Sequence, residues 1–299
     1  MNKGTWLAVG AYSLWGFFPV YWKLLKHVPA LQLLGHRIGW SFILLLVYLL
    51  VSRNWNNFRR AIDSPRVLKI YLVAAILVGI NWLTYVWAVN AGFIVETSLG
   101  YFINPLVSVL MGVVILKESI RPWQWVAIGI AAVGVLYLTF SYGTVPWIAL
   151  TLAFSFGFYG LVKKTAPLNS INGITLETGI LFLPSLGWLI FADISGEGAF
   201  LHTGLISDIL MVGAGLVTTV PLLMFASAAK LIPLSMVGIL QYIAPTIQFL
   251  IGVFVYHEPF TSYRVVGFAI VWFALFVFGV EGWLVQRSAK HVGKVAPAP

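Results

Sequence analysis

The chain has 299 residues, of which 60% are hydrophobic and only 9% are charged, and its mean hydropathy is +0.94. Soluble proteins carry about a quarter of their residues as Asp, Glu, Lys and Arg, so this composition excludes a water-soluble globular protein. The formal net charge is +9, but the basic residues fall in short segments between apolar runs. That pattern is typical of membrane orientation and not of nucleic-acid binding. We therefore predict an integral membrane protein with no nucleic-acid partner.

Chemistry-bearing motifs are missing from the sequence. It has no cysteine, which excludes disulfides, thiol catalysis and cysteine-based metal sites. We find no P-loop, no pair of histidines at metal-ligand spacing and no nucleophile elbow. The sequence therefore predicts no catalytic residue, no cofactor and no metal site, and the protein is not expected to be an enzyme.

Ten segments are long and apolar enough to cross a bilayer, which takes about 20 residues of helix. The first apolar run is too long for a signal peptide and has no clear small-residue cleavage site, so it is interpreted as a spanning helix. The approximate bounds of the ten are 4–25, 33–52, 70–91, 97–116, 122–140, 145–163, 171–192, 207–229, 234–256 and 264–285.

The distribution of Lys and Arg predicts the orientation. With a cytoplasmic N-terminus, fourteen of the 18 basic residues fall on the cytoplasmic side. These are Lys3, Arg53, Arg59, Arg60, Arg66, Lys69, Lys117, Arg121, Lys163, Lys164, Lys230, Arg287, Lys290 and Lys294. Such a bias predicts that both termini are cytoplasmic.

The second half of the chain repeats the first. Residues 97–119 (TSLGYFINPLVSVLMGVVILKES) align without a gap with residues 237–259 (VGILQYIAPTIQFLIGVFVYHEP), which places Pro105 on Pro245. Five spans per copy is an odd number, so the second copy is expected to enter the membrane upside down.

These features predict an all-α integral membrane protein with ten transmembrane helices in two inverted five-helix repeats. The basic loop 53–69 and its counterpart 193–207, which has no Lys or Arg, agree with the inversion. The first repeat is predicted at 1–142 and the second at 143–285. Residues 286–299 are predicted to form a disordered, basic cytoplasmic tail.

Polar side chains within the spans are the candidates for a substrate cavity, because in hydrocarbon they must be paired or face water. Tyr101, Asn104 and Ser108 share one helical face, and Gln241 and Gln248 occupy the positions equivalent to Tyr101 and Ser108. For any single residue the alternative is an interhelical hydrogen bond. Two symmetry-related polar faces favour a cavity near the membrane midplane.

Asn81 is a further polar candidate, and the tryptophans and prolines within the spans add others. Trp15 and Trp87 are candidates either for stacking against a substrate or for an interfacial belt. Pro105 and Pro245 each remove a backbone donor, which predicts either a static kink or a gating role.

Ionisable residues inside the spans are candidates for gating or ion coupling. Three roles are open to Arg37, which follows His36 one turn inside the second span: snorkelling outward, pairing with Glu96, or holding an anionic substrate group. Glu177 lies nearly two turns inside the seventh span. If it has no cationic partner there it is a candidate for proton coupling, because desolvation favours its neutral form.

Several motifs resemble those of a known family of carriers. They are Trp15-Gly16, His36-Arg37 followed by Trp40-Ser41, Asn81-Trp82, residues 98–106 (SLGYFINPL), residues 153–162 (AFSFGFYGLV), residues 218–221 (TTVP) and Gln241-Tyr242. With ten helices in two inverted repeats, the chain resembles the EamA-type carriers of the drug/metabolite transporter superfamily as far as about Gln286.

The resemblance implies a multi-pass carrier of the bacterial inner membrane with a central cavity between the repeats, and it adds Tyr159 and Tyr242 to the candidate lining. By family analogy export is favoured over import. The resemblance implies no particular substrate, because members of the superfamily move amino acids, other metabolites, nucleotide sugars or drugs.

Two functional hypotheses of different class follow. The first is a secondary transporter of metabolite, amino-acid-like or amphipathic drug-like solutes that works by alternating access around a midplane cavity. The second is an intramembrane receptor or scaffold that binds a ligand without moving it. The expected partners are a small-molecule substrate, the lipid bilayer and a proton or another coupling ion, and the protein is expected to be a monomer or a weak homodimer.

Overall fold

The computed structural model describes residues 2–52, 55–91, 93–142, 145–257 and 262–295, and these are helical with short connections. The helices are α1 (Lys3–Gly16), α2 (Phe18–Leu24), α3 (Ala30–Val51), α4 (Trp55–Ile62), α5 (Pro65–Asn90), α6 (Ile94–Leu110), α7 (Pro122–Tyr142), α8 (Trp147–Thr165), α9 (Ser170–Ile194), α10 (Leu205–Leu231), α11 (Leu234–Leu240), α12 (Ile243–Leu250) and α13 (Ser262–Val295). No strand occurs in these ranges.

Eight helical segments of the described chain are long and apolar enough to cross a membrane. They are Ala30–Val51, Pro65–Val89, Glu96–Ile115, Pro122–Phe140, Ser170–Ile194, Leu205–Leu231, Leu234–Val255 and Val265–Gly282. Two predicted spans are not among them. Span 4–25 is divided between α1 and α2 at Phe17, and span 145–163 corresponds to α8, a 19-residue helix with two lysines in its last turn.

Burial separates central helices from peripheral ones. In Glu96–Ile115, which covers most of α6, 56% of the most apolar window is buried, whereas the share is 22% in Ser170–Ile194. Large apolar side chains such as Leu72, Ile76 and Leu83 are left exposed on the outer faces. Such a surface suits hydrocarbon and not water.

Close approaches of the backbone hold α10 against α3. Gly215 has no side chain, and a Cβ built there would lie 2.6 Å from the carbonyl carbon of Trp40. The Ser41 hydroxyl donates a hydrogen bond of 3.1 Å to the Gly215 carbonyl across the same contact. Small residues at helix crossings allow this packing in membrane proteins, where van der Waals contact and hydrogen bonds drive helix association.

We expect Gly215→Ala to lower the free energy of unfolding by about 1–3 kcal/mol, because the added methyl group forces two backbones apart. Gly129→Ala and Gly187→Ala are the matched controls, since nothing lies within 4 Å of a Cβ at either position. Both should be neutral or slightly stabilising, as alanine is the better helix former. Thermal unfolding in detergent, followed by tryptophan fluorescence, measures the difference. An unchanged melting temperature for Gly215→Ala would contradict the close approach.

Helix starts recur along the chain at a fixed interval. The starts of α3 and α9, α5 and α10, α6 and α11, and α7 and α13 are each 140 residues apart. A five-residue π-helical turn follows α6 at Met111–Ile115, and another follows α12 at Ile251–Val255. Lys117 and His257 then adopt positive φ angles of 54° and 51°. The two halves therefore share local backbone features as well as sequence.

The helix α13 continues to Val295, and residues 296–299 lie outside the described residues. The predicted tail, which begins at residue 286, therefore includes the end of α13 and four residues that are not described.

Candidate functional site

A cavity of about 240 Å³ lies among α1, α2, α3, α5, α6, α8, α10 and α12. Its lining consists of Tyr12, Trp15, Phe18, Pro19, Trp22, Arg37, Asn81, Trp82, Tyr85, Gly100, Tyr101, Asn104, Leu152, Phe156, Thr218, Leu222, Gln241, Ala244, Pro245 and Gln248. The volume is somewhat below the 300–1,000 Å³ of pockets for drug-sized ligands. In this conformation the cavity therefore fits a small molecule.

The three residues of the predicted polar face of α6 do not all lie in the cavity. Tyr101 and Asn104 line the cavity. Asn104 is 5% exposed and its Oδ1 has no hydrogen-bond partner among the described residues. Ser108 lies one turn further on and is buried, with its hydroxyl 3.5 Å from Oε1 of Gln241. An unpaired buried amide oxygen is costly, so Asn104 offers an acceptor to whatever enters the cavity.

The opposite wall is formed by α12 and by Gln241, which lies between α11 and α12. Gln241 and Gln248, the predicted second polar face, line the cavity, and so does Pro245, for which a kink or a gating role was predicted. Gln248 donates a hydrogen bond of 3.1 Å to the Trp15 carbonyl. That carbonyl needs a donor because Pro19, four residues later, has no N–H to give it. The interaction attaches α12 to the break between α1 and α2.

Asn81 joins α5 to α8 beside the cavity. Its side-chain amide donates to the Leu152 carbonyl at 2.9 Å and to the Ser155 hydroxyl at 3.1 Å. These bonds use both of its donors. Asn81 therefore forms interhelical hydrogen bonds and also belongs to the lining of the cavity, so the two alternatives for a polar residue within a span both apply to it.

Arg37 brings the cavity its positive charge. Its Nε donates a hydrogen bond of 3.0 Å to the Thr218 hydroxyl on α10. The guanidinium carbon lies 4.9 Å from the ring centre of Trp22 and 5.1 Å from that of Trp82. The guanidinium thus points into the cavity, and it neither snorkels to the surface nor forms a described ion pair. Glu96, the suggested partner, accepts from the Ile148 amide at the start of α8 at 2.8 Å.

Aromatic side chains close one end of the cavity. Trp15 lies 5.9 Å from Phe156 and 5.7 Å from Phe225, measured between ring centres, and Phe156 lies 5.2 Å from Phe225. Tyr159 stacks on Phe225 at 6.0 Å. We call these four residues with Tyr12, whose ring is 5.5 Å from Trp15, the aromatic floor. It separates the cavity from the residues that lie beyond Tyr159.

A buried ion pair lies beyond the aromatic floor. Lys163 Nζ is 2.6 Å from Glu177 Oε1, and the two side chains are 1% and 2% exposed. The Tyr159 hydroxyl donates to the other oxygen of Glu177 at 2.8 Å. Glu177 was predicted as a proton-coupling residue on the condition that it lacked a cationic partner. Lys163 is such a partner, so the condition on which proton coupling was predicted is not met.

The remaining predicted site residues lie elsewhere. Trp87 is 45% exposed, stacks on Phe93 and packs against the tilted ring of Trp147, which agrees with the interfacial alternative. Tyr242 is buried and donates to the Phe102 carbonyl at 3.1 Å.

His36 and Pro105 are also outside the lining of the central cavity. His36 packs on Phe200 and lines a separate cavity of about 460 Å³ next to α9. The Pro105 carbonyl lies 2.7 Å from the position of a Cβ on Gly238, so this proline marks the close crossing of α6 and α11.

The sequence analysis missed several lining residues, among them Tyr12, Phe18, Trp22, Tyr85 and Phe156. Aromatic side chains within an apolar span do not differ in periodicity from lipid-facing ones, so no pattern identified them. Pro19 was the one residue in the sequence that could have indicated the position of the cavity. A proline between Phe18 and Trp22 predicts an interrupted helix and a free carbonyl, which is where the cavity lies.

The family follows from comparison with known proteins. The EamA-like transporter family matches the chain twice, over residues 2–140 and 144–280. The chain belongs to this family, and it is a multi-pass bacterial membrane protein of the transporter class.

Relatives cover nearly the whole chain. An uncharacterized transporter, YojE of Bacillus subtilis, is 48% identical over 97% of both proteins. Protein RarD of Escherichia coli is 41% identical over 97% of this chain and 98% of RarD, and protein RarD of Streptomyces exfoliatus is 42% identical over 97% and 91%. A solved crystal structure has a TM-score of 0.68 with 15% identity over 95% of this chain and 98% of that one, which shows a shared fold.

Proposed function

We propose that the protein is a secondary transporter of small molecules, with ten transmembrane helices in two inverted five-helix repeats and both termini in the cytoplasm. The observation that carries the proposal is a cavity lined from equivalent helices of both halves. Tyr101 of α6 and Gln241 after α11, 140 residues apart, face the same space. Substrate sites between inverted repeats are the rule in transporters of this architecture.

The duplication is supported by three observations. The EamA-like family matches each half separately, at 2–140 and 144–280. The helix starts and the π-helical turns recur at an interval of 140 residues. The strongly basic loop of the first half corresponds to a loop without Lys or Arg in the second, as inversion requires. The domains are accordingly 1–142 and 143–285.

The position of the cavity along the helices supports an outward-facing state. On α6 the lining residues lie near the start, at 100–104, whereas on the preceding helix α5, which runs in the opposite direction, they lie towards the end, at 81–85. Both sets therefore lie nearer to the same membrane face. With a cytoplasmic N-terminus that face is the periplasmic one, and the aromatic floor and the Lys163–Glu177 pair seal the cytoplasmic side.

Alternating access then requires the seal on the cytoplasmic side to open as the periplasmic side closes. Trp15, Asn81, Tyr101, Asn104, Gln241 and Gln248 are the proposed substrate contacts, and Arg37 is the charged one. Glu177 with Lys163 forms the proposed inner gate. Export fits a cycle in which the cytoplasmic gate is the one that admits substrate.

Purified protein in liposomes tests the proposal by counterflow of labelled solutes from a panel of small organic acids, amines and neutral metabolites. We expect flux of at least one solute, and we expect Asn104→Ala to reduce it about tenfold or more through loss of a buried acceptor. Asn172→Ala is the matched control, because Asn172 is buried to the same degree, at 6% exposed, in the first turn of α9 and away from the cavity.

The outcomes separate the two functional classes. A receptor or scaffold would bind a solute of the panel without counterflow. No flux with any solute, together with an Asn104→Ala variant that changes only stability, would remove the support for a transporter.

A further inference from the structure

We propose that the central cavity takes a small organic anion with one negative charge, a carboxylate on a planar apolar body, and that it discriminates against molecules with a free ammonium group. This inference rests on the proposed function, since it names the substrate class of the same cavity. It excludes unmodified α-amino acids as preferred substrates.

The charge of the lining is the first step. Among the described residues that line the cavity, Arg37 is the only charged one, and no described carboxylate lies within ion-pair distance of it. An arginine stays protonated in proteins. A cation inside a membrane protein without a counter-ion is costly, so the empty cavity has a net positive charge that an anion would neutralise.

The geometry of the guanidinium is the second step. Its Nε is engaged by the Thr218 hydroxyl at 3.0 Å, which orients the group and leaves the two terminal NH₂ groups without a described acceptor. Those two groups form the fork that binds a carboxylate through two parallel hydrogen bonds. The Trp22 and Trp82 rings, 4.9 Å and 5.1 Å from the guanidinium carbon, limit its movement further.

The other lining residues determine the shape and polarity of the part of the ligand that carries no charge. Trp15, Trp82 and Phe156 present flat apolar surfaces, and Asn104 Oδ1 is an unpaired acceptor. A planar apolar group fits between the rings, and a neutral donor on the ligand fits Asn104. No Asp or Glu belongs to the described lining. A ligand ammonium group would therefore lose its hydration without gaining an ionic partner.

The single charge limits the anion. One guanidinium balances one carboxylate, whereas a phosphate monoester carries −1.5 to −2 charges at neutral pH. The second charge would have no partner in the described lining. This argument favours a carboxylate over a phosphate monoester.

Binding to the purified full-length protein in nanodiscs tests the inference with probes of one skeleton. 3-Phenylpropanoate is anionic, its primary amide is neutral, 3-phenylpropylamine is cationic and phenylalanine adds an ammonium group to the acid. Quenching of tryptophan fluorescence measures affinity, because three tryptophans line the cavity. We expect the acid to bind about 10- to 100-fold more tightly than the amide, as for a hydrogen bond to a charged group. The amine, phenylalanine and phenyl phosphate should all bind more weakly than the acid.

Arg37→Gln should abolish the preference for the acid over the amide, and Arg37→Lys should retain part of it, because lysine keeps the charge but not the fork. Arg66→Gln makes the same change at the exposed start of α5 and should leave the preference intact. The comparison of acid, amide and amine uses the unmodified protein. It therefore tests the preference for an anion even if the Arg37→Gln variant does not fold.

Equal binding of acid and amide by the unmodified protein would overturn the inference, as would tighter binding of phenylalanine or phenyl phosphate than of the acid. Flux of a neutral or cationic solute that depends on Asn104 and not on Arg37 would leave the transporter proposal standing and remove this one. Absence of any flux, together with selective binding of the acid, would support this inference about the ligand and contradict the transporter proposal.

Discussion

Glu177→Gln is expected to lower the free energy of unfolding by about 3–5 kcal/mol, the cost of removing one partner from a buried ion pair. Lys163 would keep its charge in a site where it is 1% exposed, with its former partner neutral. The Tyr159 hydroxyl can still bond to the new amide, so the loss comes from the charge and not from the hydrogen bond. Thermal unfolding in detergent measures the effect.

The double variant Lys163→Met/Glu177→Leu should recover most of that stability. Replacing a buried pair by apolar residues of similar volume is often neutral or stabilising, because neither charge then has to be desolvated. Asp193→Asn is a suitable comparison on the same helix, since Asp193 lies 3.8 Å from His202 and the two side chains are 62% and 63% exposed. An exposed pair contributes about 0–1 kcal/mol. Equal effects of the two single changes would contradict the burial of the Lys163–Glu177 pair.

Transport by the double variant separates a structural pair from a gate. If the pair only holds α8 to α9, the stable double variant should transport normally. If it closes the cytoplasmic side, its removal should raise access from that side and impair counterflow while stability is kept. We expect impaired counterflow, because the hydrogen bond from Tyr159 to Glu177 connects the ion pair directly to the aromatic floor.

The sequence predicted those parts of the site that depend on position along one helix. Tyr101 and Asn104 were assigned to the cavity because they are three residues apart on a helix, and Gln241 because it repeats Tyr101. Periodicity and repetition carry that information without reference to neighbouring helices. Among the four residues of the paired faces that line the cavity, Gln248 was also found in this way.

Partners on other helices were not predictable, because they depend on rotation and on register between helices. Glu177 and Lys163 are 14 residues apart on adjacent helices, and a rotation of α8 by one residue would place Lys164 there instead. Lys164 in fact donates to the Ile232 carbonyl. Trp15 and Trp87 look alike in sequence, yet one faces the cavity and the other forms an exposed aromatic cluster.

Cysteine labelling is expected to place Asp63 and Thr203 on opposite sides of the membrane. The two positions are 140 residues apart, both are exposed, and each lies just before a long helix, α5 or α10. The chain has no cysteine, so Asp63→Cys and Thr203→Cys each give a single reactive thiol without background. In spheroplasts a membrane-impermeant maleimide should label Thr203→Cys fully and Asp63→Cys only after permeabilisation.

The same pair decides whether α8 crosses the membrane, because α5, α6, α7, α8 and α9 separate the two positions. Five crossings place the thiols on opposite sides, whereas four place them on the same side. At 1.5 Å per residue, the 19 residues of α8 span about 28 Å, close to the roughly 30 Å of a bilayer core. Its Lys163 is neutralised by Glu177 and its Lys164 bonds to a carbonyl, which reduces the cost of both lysines at the membrane edge.

Lys3→Cys and Lys26→Cys apply this argument to the broken first span, since both are exposed and they flank α1 and α2. Together the two helices cover residues 3–24, about 33 Å of helix at 1.5 Å per residue, and the carbonyl freed by Pro19 is bonded by Gln248. A break whose polar groups are satisfied is tolerated at membrane depth when it lines a cavity. Opposite labelling of the two thiols is therefore expected, and labelling from one side only would mean that α1 and α2 enter and leave by the same face.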